Sequence, residues 1–395
     1  MAAEPCAASV GQTRPRLEVA DILRATGEAY RHSHVVTPEQ GKTLTALVRC
    51  RTAALGGHLD ICRSCGHQAP AYNSCRNRHC PKCQSLSQAR WIDQRLARII
   101  PTKYFHVVFT LPQQLRALAR GNARLMYDLL IGAAARTLLE FGRNDLRAQL
   151  GVTTVLHTWT RDLRFHPHAH CIVTAGGLDD DDRWIPAANR YLFSVKALSK
   201  VFRGKLLDGL DRLYRAAVLR LDGPCSSLRD PTNFARLKDQ LYRIDWVVYA
   251  KKPFGGPEQV FRYLGRYTHR VGISNQRLID FDGTTVCFRT KNGKTVRIEA
   301  VEFVRRFLLH VLPHAFVKIR HHGLLAAKNV ATKLEVARRC LATSNVVATP
   351  APSTSPMPWR DLLLALTGTD LTVCRACQAR SVERHPLVPR PRDTS

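Results

Sequence analysis

Apolar positions recur at helical spacing over residues 17–55, as Leu17, Val19, Ile22 and Leu23 and then Leu44, Leu47 and Val48, with Pro38 opening a second helix. Residues 58–83 lose this periodicity and fill with Cys, His and Arg. A helical pattern returns over 85–100 and stops at Pro101. Residues 104–111 (Tyr-Phe-His-Val-Val-Phe-Thr-Leu) predict a strand, and 113–150 a helical stretch broken near 121 and 142–144. Residues 152–160 and 166–174 predict an antiparallel hairpin turned at Arg161-Asp162-Leu163. Further on come a helix over 195–221, a strand over 246–250 and a short helix over 258–267 that starts after Pro257. Residues 278–281, 286–290 and 295–300 form a three-strand meander around Asp282-Gly283 and Asn292-Gly293, and a helix follows over 301–312. This order predicts an α+β fold, an antiparallel sheet with flanking helices, preceded by a small metal-binding region.

The charge changes the picture. Sixty Lys and Arg stand against 31 Asp and Glu in 395 residues, a net +29 spread along the whole chain. A long phosphate backbone suits that distribution better than one small acidic ligand. No apolar run reaches membrane-spanning length and no secretory leader is evident, so the expectation is a cytoplasmic protein with no membrane partner. Five of the 13 cysteines fall within 62–83, which reads as metal-bound thiolates in a reducing compartment rather than disulfides.

Two Cys-x2-Cys knuckles, Cys62/Cys65 and Cys80/Cys83, supply four thiolates for one tetrahedral, structural Zn²⁺, with Cys75 as a surplus ligand. Arg76, Arg78 and Lys82 are expected on the knuckle surface, facing phosphates.

The densest chemistry lies at Phe165-His-Pro-His-Ala-His170. On a strand, period two puts His168 and His170 on one face, about 7 Å apart along the chain and able to share a metal ion. A third ligand is open among His166, His157, Gln259 and Glu258. Downstream, Tyr263 and Tyr267 stand four apart, on one face of a helix, interleaved with Arg262, Arg266 and Arg270. A metal to neutralise phosphoryl charge, a phenolate nucleophile and cations for the backbone together predict cleavage and rejoining of DNA strands.

From about residue 17 to about residue 340 the chain resembles the rolling-circle transposases of the IS91 type, which belong to the HUH (His-hydrophobic-His) endonucleases. The resemblance rests on Ser74-Cys-Arg-Asn-Arg-His-Cys-Pro-Lys-Cys-Gln84, the 166–170 histidine box with its trailing Cys-Ile-Val-Thr, Tyr263-Leu-Gly-Arg-Tyr267-Thr-His-Arg-Val, and His321-His322-Gly323-Leu-Leu-Ala. It implies an HUH/Rep-like sheet, Mg²⁺ or Mn²⁺ on His168 and His170, and Tyr263 and Tyr267 as nucleophiles acting on single-stranded element ends and target DNA. A plasmid or phage replication initiator shares that chemistry, although the cysteine module favours a transposase. A zinc-dependent DNA-binding regulator with structural histidines is the non-enzymatic alternative. The implied organisation is a disordered leader (1–16), a helical and zinc-binding domain (17–100), the catalytic domain (101–312), its extension (313–342), and a linker with a basic tail (343–395). In the tail, Cys374-Arg-Ala-Cys377-Gln lacks the glycine that follows such knuckles in relatives, which speaks against a second zinc there.

Overall fold

A computed structural model of the chain describes residues 16–84, 88–89, 99–187, 192–251, 272–290, 292–342 and 358–389. In chain order its elements are helices α1 (Val19–Ser33) and α2 (Pro38–Arg49), then strands β1 (Gly57–Cys62), β2 (Gln68–Tyr72) and β3 (Tyr104–Thr110). Helices α3 (Arg116–Gly121) and α4 (Ala123–Asp145) precede strands β4 (Gln149–Trp159), β5 (Phe165–Leu178) and β6 (Trp184–Pro186). Helices α5 (Val195–Arg215) and α6 (Pro231–Arg243) lead to β7 (Val248–Lys251) and the meander β8 (Leu278–Phe281), β9 (Thr285–Arg289) and β10 (Thr295–Glu299). Helix α7 (Ala300–Leu308), strand β11 (Ile319–Gly323), helices α8 (Lys333–Ala342) and α9 (Trp359–Thr367) and strand β12 (Val382–Leu387) complete the set. Among these described elements no helix is long and apolar enough to cross a membrane.

The chain forms two compact units. The first joins Met1–Trp91, His269–Val311 and Ser353–Ser395. Its α1 buries Val19, Ile22, Leu23 and Tyr30 and packs on α7, which buries Phe303, Val304 and Phe307. The start of α1 is fixed by a capping box of Glu18 and Asp21, and the Val19 N–H donates to Asn275 Oδ1 at 3.1 Å. Thr37 caps α2 ahead of Pro38, and Gln40 Nε2 reaches the Leu308 carbonyl at 3.1 Å. The meander forms where its turn signals predict, in order β10-β9-β8, with Asp282 Oδ1 accepting from the Thr284 and Thr285 N–H groups. It groups with the amino-terminal elements, so residues 269–311 of the region expected over 101–312 fall in the first unit.

Two further features depart from expectation. Residues 58–83 contain the hairpin β1–β2, short strands that two metal-ligand loops interrupt before any periodicity can develop. The tail expected to be a basic extension supplies β12, which pairs antiparallel with β1 from Gly57↔Leu387 to Cys62↔Val382.

The second unit comprises Ile92–Thr268 and Leu312–Pro352. Its sheet runs β11-β4-β5-β3-β7, with β6 on the end of β5, and every pairing is antiparallel. Central strand β5 alternates in burial along Phe165–His170, which assigns its two faces. One face packs against helices: Phe105, Val107 and Phe109 of β3 are fully buried, and the Phe109 ring lies 4.8 Å from Phe202 of α5. The opposite face carries the histidines.

Edge strand β11 ends at Gly323, where φ is +60° and an added Cβ would stand 1.9 Å from the Leu150 carbonyl oxygen. The next residue, Leu324, donates its N–H to that carbonyl at 3.0 Å. Only glycine fits this turn. Gly323→Ala is therefore expected to destabilise the protein by at least about 2 kcal/mol, combining left-handed strain with a backbone collision. Denaturant unfolding measures it, and a change within about 0.5 kcal/mol of wild type contradicts this packing.

Candidate functional site

Strand register builds the site. On β5, His166, His168 and His170 point to one face by alternation. His157 of β4 stands directly opposite His168 in the antiparallel pairing. The ligand nitrogens of His157, His168 and His170 all lie within 4.8 Å of one another. Ring centroids are 4.3 Å apart for His157 and His170, 4.9 Å for His168 and His170, and 5.5 Å for His157 and His168.

Hydrogen bonds orient two of these rings. His168 Nδ1 donates to the His166 carbonyl at 2.7 Å, which gives Nε2 the lone pair. His170 Nδ1 and His106 Nε2 share a hydrogen bond of 2.7 Å, with His106 reaching across from β3 and its ring stacked at 5.0 Å. Desolvation pushes the His168 pKa down to about 4, and burial followed by the Lys251 charge does the same to His106. A neutral imidazole is the form that binds metal, so this donor set fits a divalent ion.

Of the candidates for a third ligand, His157 groups with His168 and His170, and His166 does not. Arg116 Nη2 donates to His166 Nδ1 at 2.7 Å, and burial together with Arg116 and Arg164 lowers the pKa of His166. The offset of two residues does point His166 to the right face, as expected, but a guanidinium occupies its nitrogen. Gln259, Glu258, Tyr263, Tyr267, Arg262, Arg266 and Arg270 lie outside the described residues.

The cysteines correct the expectation of one zinc held by Cys62, Cys65, Cys80 and Cys83. The two knuckles separate. Cys80 and Cys83 gather with Cys50 and Cys75, while Cys62 and Cys65 gather with Cys374 and Cys377. The reason is the β1–β2 hairpin, which carries the first knuckle away to meet the loop before β12. Cys75 is thus a full member of the first tetrad rather than a surplus ligand. Cys50, at the end of α2, gives no local Cys-x2-Cys signal and is recognisable only in three dimensions. Its Sγ is 3.5 Å from Cys80, and Cys75 Sγ is 3.8 Å from Cys83. A ZnS₄ tetrahedron with bonds of about 2.3 Å has edges of about 3.8 Å, so these spacings fit one ion. The four thiols share hydrogen bonds, which lower the pKa of Cys50 and raise those of Cys75 and Cys80.

Among the cations expected to meet phosphates, Arg76 and Arg78 are exposed. Lys82 is not: its ammonium pairs with Glu18 and donates to the Cys50 carbonyl at 3.3 Å, with both charged side chains at most 10% exposed. It holds the cysteine loop against the start of α1, and the expectation that it faces DNA is withdrawn.

The sheet face gathers three imidazoles and the first unit gathers two cysteine tetrads, and comparison with known proteins identifies the family. The family described as "Putative transposase" matches residues 151–332, and the "Transposase zinc-binding domain" matches residues 22–111. The chain is 44% identical over 370 residues to the "Putative transposase y4qJ" of Sinorhizobium fredii, covering 91% of this chain and 92% of that one. It is 29% identical over 349 residues to the "Transposase for insertion sequence element IS801" of Pseudomonas savastanoi pv. phaseolicola, covering 86% and 82%. The chain belongs to the IS91-type transposases and carries their amino-terminal zinc-binding domain. A metal-bound structure of the conjugative relaxase TrwC with oriT DNA aligns over 60% of this chain and 96% of that one, at 13% identity and a TM-score of 0.26. That similarity is too slight to carry the fold, which rests on the sheet itself.

Two outcomes follow from the histidine geometry. In zinc-loaded protein, His157→Ala and His168→Ala should each weaken Mn²⁺ binding at least tenfold by electron paramagnetic resonance titration, with His166→Ala changing it less than threefold. Equal losses for His166→Ala and His168→Ala contradict the assignment. In metal-free protein, the His168 ring should stay neutral at pH 5.5, because its depressed pKa places protonation near pH 4 rather than 6.5. Nitrogen-15 histidine spectra, assigned with His168→Asn, check it; a midpoint near 6.5 refutes the desolvated setting.

Proposed function

We propose that this transposase is a metal-dependent, single-strand DNA endonuclease and strand transferase of the HUH type that moves its element by a rolling-circle route. The observation that carries the reading is the set of His157, His168 and His170 on one face of the central strands, in a chain that also presents Tyr263 and Tyr267 at helical spacing. Held by these imidazoles, Mg²⁺ or Mn²⁺ would neutralise charge on the phosphoryl group under attack. His106 and the His166 carbonyl keep the ligand rings in orientation, so little reorganisation is needed when DNA arrives.

The tyrosines are the nucleophiles. A Tyr263 or Tyr267 phenolate attacks phosphorus, an O–P bond forms, and the bond to the 3′-oxygen breaks. The products are a 5′-phosphotyrosine and a free 3′-hydroxyl, which takes up a proton as it leaves. Phosphodiester energy is retained in the link, so a second 3′-hydroxyl can reverse the step on another strand without a nucleotide cofactor. Two tyrosines allow one strand to be held while the next is cut. Arg262, Arg266 and Arg270 flank the nucleophiles and grip the backbone, with Arg76 and Arg78 adding sequence-independent contacts from the zinc-binding domain. In that domain Cys50, Cys75, Cys80 and Cys83 hold a structural Zn²⁺ whose four thiolates leave no open position for catalysis.

The test is a labelled single-stranded oligonucleotide carrying an element end, incubated with Mn²⁺ and resolved on a denaturing gel. Wild type should give a metal-dependent protein–DNA adduct that falls at least a hundredfold in His168→Ala and disappears in the Tyr263→Phe/Tyr267→Phe double variant. Tight DNA binding with no adduct on any such substrate overturns the enzyme reading and leaves a DNA-binding regulator.

A further inference from the structure

We propose that Cys62, Cys65, Cys374 and Cys377 form a second zinc site, a clasp that makes the carboxy-terminal segment a structural part of the amino-terminal metal-binding module. Two of the four ligands lie outside the 22–111 zinc-binding region, and the inference is independent of the strand-transfer chemistry.

Sulfur spacing is the first argument. Cys62 Sγ lies 3.6 Å from Cys377 Sγ, Cys65 Sγ lies 3.7 Å from Cys374 Sγ, and all four fall within 4.8 Å. These separations fit the edge of about 3.8 Å of a ZnS₄ tetrahedron and are far from the roughly 2.05 Å of a disulfide. The partners lie 315 and 309 residues apart in sequence, a coincidence that free thiols do not require.

The second argument is that the two loops have the same construction. In the first, the Gly66 N–H donates to the Cys62 carbonyl and the Cys62 N–H to the His67 carbonyl, each at 2.9 Å. In the second, the Gln378 N–H donates to the Cys374 carbonyl and the Cys374 N–H to the Ala379 carbonyl, each again at 2.9 Å. Gly66 has φ +70° and Gln378 φ +62°, so the glutamine adopts the left-handed turn that glycine normally fills. The missing glycine therefore does not exclude a knuckle. The Ala376 N–H also points at Cys374 Sγ at 3.4 Å.

Neighbouring contacts seat the loops on one another. The Arg63 N–H donates to the Ser381 carbonyl at 2.9 Å, and the Ser64 and Ser381 hydroxyls meet at 2.7 Å. Arg384 pairs with Asp60 at 2.8 Å, and Arg63 with Glu383, across the β1–β12 ladder. These exposed pairs add little by themselves, and β12 buries little apolar surface. A metal supplies the cross-link that so thin a three-stranded sheet otherwise lacks.

The deciding experiment counts zinc per full-length chain by plasma mass spectrometry under reducing conditions, in a His168→Ala background so that imidazole-bound zinc does not enter. The expected values are two for this chain, one after Cys374→Ser/Cys377→Ser and one after Cys75→Ser/Cys83→Ser. Zinc-edge absorption should show four sulfur ligands per ion in the two-zinc protein. Hydrogen exchange over 382–387 should accelerate at least tenfold when zinc is chelated, a readout that stands even if the serine variants fail to fold. A single zinc in the parent chain, two retained after Cys374→Ser/Cys377→Ser, or a Cys62–Cys377 disulfide in the native protein overturns the proposal.

Discussion

The antiparallel register of β4 against β5 is the constraint on which the histidine cluster of the second unit depends. Pairing His157 with His168 puts a third imidazole beside the two that alternation already aligns on β5. A slip of one residue would turn His157 into the helix-packed face and leave two ligands. On the far face Phe105, Val107 and Phe109 of β3 are buried, with Phe109 against Phe202 of α5, and the glycine turn ties β11 to the Leu150 carbonyl of β4. The histidines occupy the opposite face.

The amino-terminal unit solves a different problem. Its helices and meander have an ordinary apolar core, but the two hairpin-and-loop regions around the cysteines have little. Thiolate clusters substitute for that core. The ligand order along the chain is interleaved: one pair of cysteines lies between Cys50 and Cys75 and looks outward to residues more than 300 positions away. Buried Lys82 and Glu18 join the inner cluster to α1, so the metal-binding loops and the helical part form one unit.

Much of this was legible in sequence because it is local. The helix start at Pro38, the hairpin signal at Asp282-Gly283, and strand alternation at His168 and His170 all act within a few residues, and the structure follows them. What was hidden depends on contacts between distant segments. His157 was one candidate among several because register is set by packing, not by the strand's own pattern. His166 had the correct parity, and only the approach of Arg116 removes it. Cys50 stands alone in its helix terminus, and the Cys-x2-Cys spacing that seemed to pair the two knuckles carries no information about which knuckle meets which. Lys82 sits amid surface arginines in sequence, yet its Glu18 partner is 64 residues earlier. The tail's strand was unreadable because β12 exists by pairing with β1, with few apolar positions of its own.

In the proposed function His157, His168 and His170 together hold the divalent ion at which strand transfer occurs. Anomalous diffraction from crystals of the Mn²⁺-loaded protein, recorded on both sides of the manganese edge, tests it most directly. The account predicts one strong manganese peak bounded by the Nε2 atom of His168 and by His157 and His170, with His166 still bonded to Arg116. A peak coordinated by His166, or a manganese site away from β4 and β5, would contradict it.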